Sequence, residues 1–356
     1  MNPLFEVKDI DKQFYKEKLE RFLPGKIIDI HTHVWQDSIR KVTPGSPVRA
    51  VTWPSLVARD NSIEDLFETY RLMFPGKEVI PLIFSQVSLN YDIDEGNRYI
   101  RKCAAQHRLP SLAVTKPQQS AIEFETVISE GGFLGCKVYL NFAEPYIPEK
   151  EIRIYDFLPP HQLEVLNQHG WMVMLHIPRD GRLKDPVNLA QMIEIERKYP
   201  NIKLIIAHVG RAYCPEDIGS AFAILSETQN MIFDISANTN SYVFTELIKA
   251  VGPKRILFGS DLPILRMRMK RYCEEGRYIN AVPKGLYGDL SGDRNMREIE
   301  GKEADNLSFF MYEEIDAFRI AAESEGLNQK DIEDIFFNNA KTLIENAVKE
   351  KYVWTN

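Results

Sequence analysis

No apolar run in this chain approaches the roughly 20 residues that a membrane span requires, which argues against an integral membrane protein. There is no excess of positive charge either. Lys and Arg number 44 against 51 Asp and Glu, for a net charge of −7, so no nucleic-acid partner held by its phosphates is expected. Cysteine is scarce. Its four copies, Cys103, Cys136, Cys214 and Cys273, form no CxxC pair and read as reduced thiols of a cytoplasmic protein rather than a disulfide frame. The opening residues are charged and lack the apolar stretch of a secretion signal, which points the same way. Missing too are GxGxxG and the GxxxxGKS or GxxxxGKT loop, the glycine-rich phosphate cradles by which an open doubly wound sheet usually announces itself. What is present is ordinary globular composition: 44% hydrophobic and 27% charged residues exclude disorder and fibres.

Short apolar runs alternate with helical stretches along the chain. Eight of them, at 26–34, 79–87, 110–115, 133–141, 171–177, 202–210, 231–237 and 255–263, are rich in β-branched residues and bounded by Gly, Pro or Asn, as buried strands are. Helix signals lie between them, such as a Ser62 cap, and Asp185 followed by Pro186 with a stop at Tyr199-Pro200. With no phosphate loop after the first strand, the pattern predicts an α/β fold, a single (β/α)8 TIM barrel spanning residues 1–356 with its core at about 26–346. Such a barrel needs about 250 residues. The surplus is expected as an N-terminal helical arm over 1–25 and as lid insertions after strands 1 and 8, at 36–77 and 264–305.

The chain has seven histidines, and four of them fall at the C-terminal ends of expected strands. His31 and His33 are two apart and so share one face of strand 1. His176 ends strand 5, His208 ends strand 6, and Asp261 ends strand 8. A lone strand histidine is more often a packed rim residue than a ligand. Five ligand-type side chains at matching ends of four strands are hard to obtain by packing alone, and barrel active sites gather at this face. Nitrogen and oxygen donors with a position left open for water form the chemistry of catalytic zinc. Asp234 on strand 7 is a candidate for the hydrogen bond that a ligand histidine usually requires.

The run Asp29-Ile-His31-Thr-His33, with Leu175-His176, Ala207-His208-Val209-Gly210 and Phe258-Gly259-Ser260-Asp261-Leu262-Pro263, resembles the amidohydrolase superfamily. Its wording is nearest the amidohydrolase 2 branch, similar in kind to aminocarboxymuconate-semialdehyde decarboxylase. The closing segment at 331–344, with Asn339 and Ala340, resembles that branch as well.

This resemblance implies that His31, His33, His176 and Asp261 bind one divalent ion, zinc first among the candidates. It implies that Asp261 and His208 are catalytic, with His208 acting as acid, base or electrostatic stabiliser. Lys137 on strand 4 stands where two-metal members carry a carboxylated lysine. A second ion is thus an alternative to the single ion expected; pairing of Lys137 with a substrate carboxylate, or with Asp or Glu inside the barrel, is the plainer reading. Arg179 and Arg211 each follow a site histidine by three residues and are candidates to grip an anionic substrate; pairing with loop carboxylates such as Asp180 or Glu216 is the plain alternative. Trp35 is expected as an apolar wall or as rim packing. The expected activity is a metal-dependent hydrolase using metal-bound hydroxide on an amide, ester or lactone bond of a small, carboxylated substrate. The alternative is a non-oxidative decarboxylase of an unsaturated or aromatic acid. A homodimer or higher homo-oligomer is expected from the resemblance alone.

Overall fold

The computed structural model describes residues 4–41 and 57–347. Residues 42–56, within the expected first insertion, lie outside the described residues. All eight expected strands are present: β1 (Lys26–His33), β2 (Glu78–Phe84), β3 (Ala113–Val114), β4 (Gly135–Val138), β5 (Met172–Leu175), β6 (Lys203–Ile206), β7 (Ile232–Asp234) and β8 (Ile256–Leu257). β1 pairs with β2, and β3 through β8 pair in sequence order, every ladder parallel.

Backbone hydrogen bonds join the two sheets into a ring. On one side Ile83 N donates to Pro110 O at 3.0 Å and Leu112 N to Ile83 O at 3.0 Å; on the other, Ile30 N donates to Phe258 O at 3.1 Å and Asp261 N to His31 O at 2.8 Å. The parallel strands are tied by helical crossovers that bury the outer face of the ring, while the inner face is filled by the strands' own side chains.

Side-chain alternation divides the core in two. Ile28, Ile30, Leu82, Phe84, Met172, Met174, Ile205 and Leu257 form the inner cluster, which Ala340, Leu343 and Ile344 of the closing helical segment join. Their strand neighbours Ile27, Ile83, Val173, Leu175, Leu204, Ile206, Ile256 and Phe258 belong to the outer cluster beneath the helices. Helix starts follow local chemistry. Ser62 and Asp65 form a reciprocal capping box at the head of the helix Ile63–Met73, and Asp185 accepts from Val187 and Asn188 N–H with Pro186 at the first turn of Pro186–Lys198.

The expected arm exists as the helix Asp9–Phe14 with its extension to Leu19. Asp11 holds it down by a forked pair of bonds to Arg268, at 2.9 and 2.6 Å. The insertion after β8 carries a small sheet. β9 (Lys270–Glu274) runs antiparallel to β10 (Arg277–Pro283), and β11 (Met296–Ile299) lies parallel to β10.

The cysteines require a correction. Cys214 and Cys273 form a disulfide, with Cα atoms 5.8 Å apart, while Cys103 and Cys136 are free and buried. The partners are 59 residues apart in sequence and meet only because the β9–β10 hairpin folds back onto the loop after β6. Spacing along the chain carries no sign of that contact.

Candidate metal centre

All five expected residues converge at the C-terminal end of the strands, and all are buried. One ligand atom each from His31, His208 and Asp261 lies within 4.8 Å of the others. Asp261 Oδ1 is 3.4 Å from His31 Nε2 and 3.3 Å from His33 Nε2. The His176 ring packs edge-on against His208, with centroids 5.4 Å apart, and lies tilted against Tyr139 at 4.5 Å. The set expected to ligate, His31, His33, His176 and Asp261, is thus in one cluster, but the tightest trio includes His208 rather than His176.

Each side chain reaches the cluster by a local route. His176 continues the inward parity of Met172 and Met174, and Asp261 that of Leu257. On β1 the register shifts between Asp29 and Thr32. After inward Ile28 and Ile30, this irregularity brings His31 and His33 onto the inner side, where both rings contact Phe84. Parity points His208 outward. It is re-aimed by a left-handed turn, with φ of 57° at His208, 50° at Val209, 61° at Gly210 and 59° at Arg211. Such backbone costs roughly 1–2 kcal/mol per non-glycine residue, and bonds such as His208 N to Asp234 Oδ1 at 2.8 Å hold it.

The hydrogen-bond pattern suits metal ligation. His31 Nδ1 faces Asp234 Oδ2 at 2.9 Å, and His33 Nδ1 faces the Ser85 carbonyl at 3.1 Å. Those oxygens only accept, so Nδ1 carries the proton in both rings and Nε2 is left with a lone pair. His208 Nδ1 bonds Ser236 Oγ at 2.8 Å and Ser236 O at 3.2 Å, with the same consequence. His176 differs, since its buried Nδ1 has no hydrogen-bond partner among the described residues. A buried orphan of this kind is costly unless a ligand completes it. Three imidazoles with a bare Nε2, one with an open Nδ1, and a carboxylate between them fit a divalent ion.

Electrostatics keep the donors in ligating form. Burial lowers His208 to about 4 and pushes His176 well below the ordinary imidazole value. Burial also lowers His31, with Lys137 adding to the effect. Burial alone would raise Asp261, but His208, His33 and His31 outweigh it and hold the carboxyl well below its usual range. Lys137 Nζ lies 3.1 Å from His31 Nε2, and burial brings it down to about 8.

The expected substrate contacts divide. Arg211 Nη1 donates to the carbonyls of Ile177 and Pro178 at 3.3 and 2.9 Å, and Nη2 has Asp180 at 4.0 Å. Arg179 pairs with Asp185 at 3.3 Å. Trp35 is only 1% exposed and donates to the Arg59 carbonyl at 2.9 Å, so it packs the rim. Ser236, Ser85 and Tyr139 are site neighbours that sequence reading missed. The parity Ile232-Asp234-Ser236 is a signal that could have found Ser236.

The family model for amidohydrolases matches residues 28–281. No curated relative matches the chain. Among solved structures, 5-carboxyvanillate decarboxylase from Sphingomonas paucimobilis is similar at a TM-score of 0.55 and 13% identity, covering 90% of this chain and 99% of its own. A probable 2-pyrone-4,6-dicarboxylic acid hydrolase from Acinetobacter baumannii, with citric acid bound, has a TM-score of 0.53 and 14% identity, covering 89% and 98%. An amidohydrolase 2 protein from Bifidobacterium longum subsp. infantis has 0.52 and 17%, covering 90% and 99%. At these identities the solved structures speak for the fold.

Proposed function

We propose, since this chain belongs to the amidohydrolase family and is an enzyme, that it hydrolyses an amide, ester or lactone bond of a small carboxylated molecule with the help of one divalent ion. The observation that carries this reading is the Asp261 carboxylate, buried and ionised within 3.4 Å of Nε2 on both His31 and His33. His31, His33, His176 and Asp261 would hold the ion, zinc being the first choice for such donors. A bound ion of this kind acidifies water and polarises a substrate oxygen.

The protein groups divide the remaining work. Asp261 would accept the proton lost by water. His208, neutral and with Nε2 bare, relays a proton to the leaving group. Lys137 and Arg211 offset the charge of a substrate carboxylate. Arg179 and Trp35, turned to Asp185 and to the Arg59 carbonyl, carry less of that task. The named acids of two structural neighbours, a carboxyvanillate and a pyrone dicarboxylate, support a carboxylated substrate.

Decarboxylation is the second reading, favoured by the decarboxylase among those neighbours. In that reaction the same cluster would orient the substrate's own oxygen instead of water. A panel of lactones, esters and amides of carboxylic acids, run beside aryl and unsaturated acids, decides between them, because only decarboxylation evolves CO2. Turnover confined to the acids with CO2 release would replace hydrolysis, and metal analysis of the same sample checks the ion.

No described helix is long and apolar enough to cross a membrane. Cytoplasmic placement belongs to the same proposal; the Cys214–Cys273 bond, rare in reducing compartments, stands against it, and trapping of thiols in cells is the test, an intact bond there overturning it. Self-association into a homo-oligomer is likewise proposed from the family likeness, with light scattering as its check.

A further inference from the structure

The loop after β7 contains a residue whose backbone conformation its side chain does not explain. Ala237 has a φ of 51°, a left-handed conformation uncommon for a residue with a Cβ. Both of its backbone polar groups are gripped from outside the loop. Its N–H donates to Glu314 Oε2 at 2.6 Å, from the helix Phe310–Ser324. Its carbonyl accepts from Arg271 Nη1, on β9 of the inserted hairpin. Strained backbone of this kind persists where its surroundings over-determine it.

The gripped peptide reaches the site within one residue. The peptide that supplies the Ala237 N–H also supplies the Ser236 carbonyl, and that carbonyl faces His208 Nδ1 at 3.2 Å. The Ser236 hydroxyl accepts from the same Nδ1 at 2.8 Å and donates a hydrogen bond to Asp234 Oδ1. The tautomer and direction of the His208 ring are thus set by Ser236, and the path of the chain at Ser236 is set by the clamp on Ala237.

Arg271 is built to act as one jaw of that clamp. It is 8% exposed. Its Nε donates to Asn280 Oδ1 at 2.8 Å, and its guanidinium lies 4.6 Å from the ring centres of Tyr213, Tyr278 and Phe310. Two residues further on, on the same face of β9, Cys273 is bonded to Cys214. The hairpin is therefore fastened to the segment that follows the left-handed His208 turn, as well as to the loop that holds Ser236.

We infer that Arg271 is a positioning residue for His208, acting through the Ala237 peptide and Ser236. Its bearing on catalysis rests on the role proposed above for His208. The hairpin after β8 then serves as a structural brace of the site.

Histidine-selective 15N NMR of the full metal-free chain tests this, with the His208 resonances identified by their absence in His208→Gln. Arg271→Ala is expected to move the His208 ring resonances while leaving those of His107, His161 and His169 in place. In Arg271→Lys, which keeps a charge and one donor, they should fall between the two. On whichever substrate the panel identifies, kcat should fall about tenfold to a hundredfold in Arg271→Ala with KM little changed, as for a misplaced group. A folded Arg271→Ala whose His208 resonances stay at their wild-type positions overturns the inference. Should that variant not fold, Arg271→Lys decides alone: moved resonances support the inference and unmoved ones overturn it. The NMR measurement needs neither metal nor substrate. A chain that turns nothing over yet shows the His208 shift keeps the positioning role and loses the proposed function.

Discussion

The Asp234 carboxylate lies 2.9 Å from Nδ1 of His31, and both side chains are fully sealed from solvent. Its other oxygen accepts from the N–H of His208 at 2.8 Å and of Ser236 at 3.1 Å. One carboxylate thus orients the ring of His31, a proposed ligand, and the backbone turn of a second histidine. Replacing it in Asp234→Asn should lower divalent-ion affinity about 10–100-fold, the usual cost of losing such a support. Competition against a chelator of known affinity measures this. An unchanged affinity would show that the His31 ring is held by its packing alone.

His176 and His208 separate the proposed ligand set from its rival. If His176 ligates and His208 handles protons, His176→Gln should lose bound metal, while His208→Gln should keep it and lose turnover by about 10²–10⁴-fold. Metal analysis after exhaustive dialysis reads both variants. The opposite pattern would promote the compact trio of His31, His208 and Asp261 to the ligand set.

Asp261→Asn should fold normally, since the amide preserves shape, yet lose most turnover, because it removes an anionic donor and the proton acceptor together. Circular dichroism and initial rates on an identified substrate check the two halves. Turnover near the wild-type level would remove Asp261 from the chemistry.

Parity explains how much of this site was legible in the sequence. His176, Asp234 and Asp261 sit on the inward register of their strands, so alternation alone places them. The approach of His31 and His33 depends on a register shift in β1, and that of His208 on four consecutive left-handed residues. No periodicity encodes either feature. The family motifs supplied those histidines where geometry would have missed one of them. Ser85 enters only through its carbonyl, and main-chain donors and acceptors carry no residue signature. The Cys214–Cys273 bond and the Arg271 clamp were invisible for a different reason, since both depend on where an inserted hairpin lands. The eight strands and the helix caps at Ser62 and Asp185, by contrast, are local chemistry, and they are present as expected.

The N-terminal arm offers a prediction independent of catalysis. Asp11 is fully buried, forks onto Arg268 and accepts from Ser308 Oγ at 2.8 Å. Asp11→Ala strands a buried guanidinium, which typically costs about 3–5 kcal/mol. Arg297→Ala breaks the exposed pair with Glu274 and should cost about 1 kcal/mol or less. Urea unfolding of both variants makes the comparison, and equal losses would mean that water reaches the Asp11 pair.

The buried imidazoles also fix how the metal-free protein responds to acid. Burial takes His208 to about 4 and lowers His31 and His176 in the same direction, whereas an unfolded chain protonates histidine near 6.5. Between those values these three rings bind more protons unfolded than folded, so their contribution to stability rises with pH and is lost on acidification through that window. Asp234, held at about 2 because His31 outweighs its burial, releases its contribution only at lower pH and does not blur the test. Burial raises Asp29 to about 7 and Glu314 in the same direction, which works oppositely in this window, so the ring is read by difference: from about pH 7 to pH 5 the urea midpoint of metal-free His208→Gln, which lacks one of the titrating rings, should lose less than that of the wild type. An identical drop in that variant would mean that the His208 imidazole titrates as it does in water, and that the left-handed turn does not carry it into a dry interior.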